Sequence, residues 1–225
     1  MSKLPQTQRW AEILQRNVIG DPVWIEQKNV FEYPEVTIEV VSILKLVRAV
    51  QSLKSLELLC QNGLFIDMGT IYRCVAGCVS EIYFMLENYP NQSDNVKKFI
   101  DNFSKTMIDD HLNPGTDSVL SNKIHNAMAR SLTESENDHK VQETIKRIYK
   151  TFSGYVHTNY SHVMGVYGGQ KGSLSFNLDG VPSDAQKRLN YQLVEEVELS
   201  LQHVIAYMAG VFKQVELCAE INRSS

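Results

Sequence analysis

Apolar residues recur at spacings of three and four along most of the chain, and the recurrence divides it into helices. From Val36 to Cys60 they fall at Val36, Val40, Val41, Leu44, Val47, Val50, Leu53 and Leu58, with no proline or glycine between them. That pattern predicts one long amphipathic helix, entered after Pro34 with Glu35 in its first turn and stopped by Asn62-Gly63. A second helix, apolar nearly all round, is predicted from Leu64 to Asn88 and closed by Pro90. Ser93 then caps a third, with Val96, Phe99, Ile100, Phe103 and Met107 as its stripe. Asn113-Pro114-Gly115 makes His111 to Ser118 a loop.

A weaker helical pattern runs from Val119 to about Arg130, and the polar run Thr133 to Lys140 reads as a solvated turn or the start of a new helix. The spacing predicts one strong helix over 141–166, ended by Gly168-Gly169, and a closing helix over 184–221 capped by Ser183. Between them, the alternation Leu174 to Leu178 is the one strand candidate, an extended segment near 173–178. The fold expected is all-α: an irregular bundle of six to eight helices forming a single domain over 1–225. No period of 20 to 50 residues repeats, which excludes a solenoid.

Composition narrows the function classes. With 43% hydrophobic and 21% charged residues, the chain has the profile of a folded protein with a sizeable core. The formal charge of −4 excludes a broad nucleic-acid-binding face while leaving room for a local basic pocket. Leu64 to Leu86, the most apolar stretch, carries Asp67, Arg73 and Glu81, so no membrane span is expected. Met1 to Arg16 lacks the apolar stretch and cleavage site of a signal peptide, and Cys60, Cys74, Cys78 and Cys218 are too few for a disulfide scaffold. Together these point to the cytoplasm.

Two segments hold polar residues where packing alone would not put them. Arg73 and Glu81 interrupt the buried second helix, with Thr70, Gly77, Ser80 and Phe84 along the same stripe. A buried arginine needs a partner, which either a neighbouring helix or a ligand supplies. Gly77 costs about 1 kcal/mol against Ala in a helix and implies close approach by one or the other. The second segment, Ile148 to Gly169, has four tyrosines and two histidines. Ser153, His157, Tyr160 and Met164 share one helical face, and Tyr155, Asn159, His162 and Val166 another. A histidine one turn from a hydroxyl is held in one tautomer, as a general base or anion binder requires, although buried polar groups are as often simply paired.

Other chemistry finds less support. Glu136 and His139 form one E-x-x-H where a helical di-metal site needs two. Cys74 and Cys78, one turn apart, read as core residues, and no metal site or cofactor is expected. The glycine loop Gly168 to Gly172 follows a helix where a phosphate-binding loop follows a strand, so it reads as a cap and turn.

The run S-G-Y-V-H-T-N-Y-S-H-V-M-G-V-Y-G-G from Ser153 to Gly169, with F-N-L-D-G at Phe176 to Gly180, resembles a motif of an uncharacterised bacterial all-helical family of unknown function. Tyr72-Arg73 and Glu81 match the Arg and Glu of that family's earlier helix. The resemblance implies a polar site between these helices and supplies no activity. More distantly the chain is similar to the HEPN superfamily, which includes dimeric endoribonucleases built around an Arg and a His on one helix. Here Arg147 precedes His157 by ten positions, roughly 80° short of three turns, so that reading takes its positive charge from Arg73 instead.

Two functional readings follow. In the first, a pocket lined by Arg73, Glu81, His157 and Tyr160, with Ser153, His162 and Tyr167 nearby, binds a polar ligand or a protein partner without catalysis. In the second, His157 and Arg73 are the base and the cation of a metal-independent ribonuclease, an effector of phage defence or of a toxin–antitoxin system. The apolar stripe of the closing helix serves equally as core or as a homodimer face.

Overall fold

The computed structural model of the chain describes residues 4–104, 119–133, 139–168, 174–176, 178 and 184–224. Among these, helices account for nearly all regular structure: α1 Leu4–Val18, α2 Ile38–Gln61, α3 Phe65–Leu86, α4 Asp94–Ser104, α5 Ser121–Leu132, α6 His139–Val156, α7 Tyr160–Met164, α8 Asp184–Val211 and α9 Val215–Ser224. Two antiparallel ribbons complete it, β1 Val23–Ile25 with β2 Val30–Glu32, and β3 Tyr167–Gly168 with β4 Ser175–Phe176. The expected all-α bundle is therefore present.

The central pair is α2 and α3, joined by a turn at Asn62 to Leu64. Gly63 takes a φ of 74°, and the amides of Gly63 and Leu64 donate to the carbonyls of Cys60 and Leu59, closing the helix with its last carbonyls satisfied. The two helices run antiparallel, as the contacts of Ser42 with Met85 and of Ser52 with Cys74 show. Between them and α8 lie Ile43, Leu46, Leu53, Leu56, Ile82, Met85, Leu201, Val204, Ile205 and Met208, all buried. Each such side chain stabilises the fold by roughly 1.5–3 kcal/mol. α1 packs on α2 and α8, and Trp10 donates its indole N–H to Glu220 of α9 at 2.8 Å. α5 and α6 pack on α3 and on each other.

Several boundaries differ from the sequence expectation. α2 starts at Ile38, not after Pro34, because the hydroxyl of Thr37 accepts from the Val40 amide at 3.3 Å. The helix expected over 141–166 is broken. Thr158 has a φ of 53°, and the amides of Thr158 and Asn159 donate to the carbonyls of Tyr155 and Gly154, so α6 ends in a six-to-one cap and α7 begins afresh. The closing helix breaks in the same way. Lys213 has a φ of 55°, and Lys213 and Gln214 donate to Gly210 and Ala209, which separates α8 from α9. Neither left-handed residue is a glycine or an asparagine, so no local signal marks these stops.

The β1–β2 ribbon and α1 are also additions to the pattern reading, which named one strand candidate. That candidate supplies β4, paired through Ser175 and Phe176 with β3. Ser93 caps α4 as expected, accepting from the Val96 amide at 3.3 Å. Met107, the loop at 111–118, Glu136, most of the glycine stretch 168–172 and much of the F-N-L-D-G run lie outside the described residues. Among the described residues, no helix is long and apolar enough to cross a membrane.

Candidate functional site

α3 carries the two charged residues singled out in the sequence, and the structure sends them to different neighbours. Glu81 faces α2, where its carboxylate meets the Lys45 ammonium at 2.6 Å, with both side chains largely buried. The Phe99 and Phe103 rings of α4 lie 5.5 and 5.0 Å from that same ammonium. Arg73 faces α6, and its guanidinium carbon sits 3.5 Å from the centroid of the Tyr149 ring. At 100° per residue, eight positions leave the two side chains about 80° apart, enough to face different helices. The expected common pocket of Arg73 and Glu81 is thus two separate contacts.

Arg73 begins a ladder between α3 and α6. One turn along, Tyr72 stacks on Phe152 at 3.8 Å between centroids, and beyond it Gly69 lets the Tyr155 ring lie directly against the α3 backbone. A Cβ at Gly69 would overlap that ring. Tyr155 in turn meets the edge of His162 at 4.2 Å, and His162 fills the space that a side chain at Gly154 would need. Gly77 has a different explanation. A Cβ there would meet the Arg73 Nη1 atom at 3.0 Å, so Gly77 makes room for the guanidinium of its own helix.

His157 and Tyr160 are not part of this arrangement. The α6 helix ends at Val156, leaving His157 exposed at the cap and Tyr160 81% exposed at the start of α7. His157 lies eight residues beyond Tyr149, about 12 Å along the helix axis, so it does not sit beside Arg73. Ser153 is half-buried on α6. The hydroxyl of Ser161 is 3.4 Å from the His162 ring, and Tyr167 packs edge-on to Phe176 at 5.1 Å across the second ribbon. The helical face assigned to Ser153, His157, Tyr160 and Met164 does not form, because the chain turns at Thr158. Glu198 is buried on α8, at 8% exposed.

The concave site shares Tyr72 and Tyr149 with the ladder. α3 forms its floor with Tyr72, Val75, Ala76, Val79 and Ser80, α8 one wall with Glu196, Val197 and Ser200, and α5 and α6 the other with His125, Met128, Ile145, Ile148 and Tyr149. Its volume is about 150 Å³. The lining is mostly aliphatic, with a few polar groups, which is the usual composition of a small-molecule site. His125 is 5% exposed and edges onto Tyr149 at 4.6 Å. Among the described residues, no group hydrogen-bonds its ring. Burial, and then the nearby charges of Arg73 and Lys146, hold its pKa below the ordinary value, so the ring is neutral at pH 7. Ser80 is already engaged, donating to the Ala76 carbonyl at 2.8 Å and lying 3.2 Å from the Met128 sulfur.

Sequence reasoning missed His125, Tyr149 and Glu196. A weak signal existed for the first: Ile124, Ala127 and Ala129 make α5 half-apolar, and His125 falls within that buried side. Glu196 and Tyr149 carried none, since their roles depend on which helices face each other. Among the described residues no group of histidines, cysteines and carboxylates could hold a metal ion.

The fold and this cleft define a class, a helical bundle with an apolar pocket opening between its helices. The chain belongs to a family of unknown function, DUF5677, which matches residues 39–172. The matched stretch runs from α2 to the second ribbon and contains Arg73, His125 and Tyr149, whereas the α8 wall with Glu196 lies beyond it. No curated protein and no solved structure matches.

Proposed function

We propose that the protein is a binding module whose cleft between α3, α5, α6 and α8 takes a small, largely apolar molecule. One observation supports this most directly: a buried, neutral imidazole, His125, lines an apolar cleft with no hydrogen-bonding partner among the described residues. The neutral imidazole offers a ligand one donor and one acceptor amid otherwise aliphatic surroundings. The polar-ligand site expected from the sequence is thereby moved, from Arg73, Glu81, His157 and Tyr160 to His125 and its aliphatic surroundings. Arg73 keeps an indirect role, since it holds the Tyr149 ring that forms part of the wall.

The test is a titration of the full chain with neutral single-ring probes, read in the NMR signals of the His125 ring and the Met128 methyl. Saturable shifts confined to cleft residues support the reading. Unmoved signals at millimolar probe would end it.

The ribonuclease reading draws on one observation, the exposure of His157 at the end of α6. Arg73 is held on Tyr149 about two turns away, so a cation beside His157 would have to come from elsewhere, such as a second copy of the chain. Purified protein that cleaves RNA, and loses the activity in His157→Ala, would restore that reading.

A further inference from the structure

The cleft is electrically one-sided. Of the residues lining it, Glu196 is the one with a carboxylate side chain, and it stands on the α8 wall. Among the described residues it forms no ion pair. Its carboxylate is close enough to Tyr72 to help burial raise the pKa of that phenol. Across the floor, the α5 and α6 wall is backed by the positive charges of Arg73 and Lys146, which act on His125. A cation entering the cleft is therefore drawn to the α8 side and repelled from the His125 side, and an anion meets a carboxylate at the α8 wall.

Size and surface set the remainder of the ligand. An apolar cavity of about 150 Å³ is enough for one benzene ring. Val75, Val79, Met128, Ile148 and Val197 offer such a ring an aliphatic bed. Tyr72 presents a π-system at the same cleft near Glu196, and an aromatic face attracts an ammonium group within about 6 Å.

Resting on the reading of the cleft as a ligand site, we infer that its ligand class is the arylalkylammonium ion, with the ring among the aliphatic side chains of α3, α5 and α6 and the ammonium at Glu196 beside Tyr72. Glu196 supplies the charge preference and the apolar bed supplies most of the affinity. Because Glu196 is exposed, the pairing contributes as partly solvated ion pairs and cation–π contacts do, about five- to ten-fold in affinity.

The experiment compares phenethylammonium with 2-phenylethanol, the same body with a neutral terminus, on the full chain at pH 7 and on Glu196→Gln. Calorimetry gives the affinities, and the His125 ring signal reports whether the probe sits in the cleft. The expected result is that the ammonium probe binds about five- to ten-fold more tightly, that both probes shift His125, and that Glu196→Gln removes the difference between them. Equal affinities in the unsubstituted chain would overturn the ammonium inference and leave the cleft reading standing. An ammonium advantage that survives Glu196→Gln, or binding that leaves His125 unmoved, would overturn it as well. Neither probe binding at millimolar concentration would end both.

Discussion

The guanidinium of Arg73 lies over the ring of Tyr149, 3.5 Å from its centroid, so the partner of this half-buried arginine is an aromatic face and not a carboxylate. A desolvated contact of this kind is worth about 1–2 kcal/mol. Arg73→Met keeps the aliphatic stem and removes the charge, and Tyr149→Leu keeps apolar volume and removes the π-system. Each is expected to lower the unfolding free energy, and the double variant to lose about 1 kcal/mol less than the sum. Urea denaturation of the four chains measures the coupling, and simple additivity would show that the contact carries no energy.

Burial and two neighbouring cations hold His125 below its ordinary pKa of 6.5. As pH falls, the unfolded chain therefore takes up a proton on this residue before the folded one does. The stability contributed by the neutral ring is complete above about pH 6.5 and is lost as pH falls from there through the folded value. Between about pH 7.5 and pH 5, the urea midpoint of the unsubstituted chain should fall more than that of His125→Gln. Parallel profiles would show that His125 titrates normally. Arg73→Met should also raise the pKa of this imidazole, as followed by NMR, because one of the two cations is gone.

Gly69 is a contact point between helices. A methyl group there would overlap the Tyr155 ring, so Gly69→Ala is expected to cost about 1–3 kcal/mol even though alanine is the better helix former. Combining it with Tyr155→Leu, which withdraws the ring, should cost less than the two single losses added together. Thermal unfolding of the single and double variants decides the matter, and a stabilised Gly69→Ala would show that the ring yields freely. Gly77→Ala is expected to be much milder, since the atom met there is the mobile end of Arg73.

The pair of Lys45 and Glu81 is closed at 2.6 Å with about a fifth to a quarter of each side chain exposed. Glu81→Gln leaves an ammonium among Phe99 and Phe103 without its counter-charge, and a loss of about 1–3 kcal/mol is expected. Lys45→Met with Glu81→Leu, which removes both charges, should recover most of it. Neutral behaviour of Glu81→Gln in denaturant melts would argue that solvent already screens the pair.

Burial, the neighbouring Cys74 thiol and the Glu81 carboxylate push the Cys78 thiol up to about 12. The thiolate is the reactive species, so Cys78 is expected to resist iodoacetamide at pH 8 in the folded chain and to react once urea unfolds it. Cys60, buried and also shifted upward, should behave alike. Mass spectrometry after timed labelling identifies the modified cysteines. Prompt alkylation of Cys78 would mean that α3 opens locally.

Helices were legible in the residues wherever apolar spacing was sustained, as in α2, α3 and α8, because a helix that must bury one side writes its period into the chain. Even there the pattern does not say which side wins. Leu58, counted with the apolar stripe of α2, is 53% exposed, while Leu56 and Cys60 beside it are buried against the bundle. The stops at Thr158 and Lys213 were illegible for a related reason. A left-handed cap on a threonine or lysine carries no propensity signal and is imposed by the packing that follows it, so a face extrapolated from Ser153 through His157 to Tyr160 dissolved at the turn.

The sequence by itself determined that this chain is a helical bundle, that Arg73 and Glu81 would need partners inside it, and that the segment from Ile148 to Gly169 holds polar residues where packing alone would not put them. Those facts depend on composition and on periods of a few residues. Only the tertiary structure decided that Arg73 rests on Tyr149, that Glu81 belongs to Lys45, and that His125 and Glu196 line one cleft. These pairs are separated by 76, 36 and 71 positions in the sequence. Their meeting depends on how α3 is flanked by α2, α5, α6 and α8, and no local pattern along one helix encodes the rotation of its neighbour.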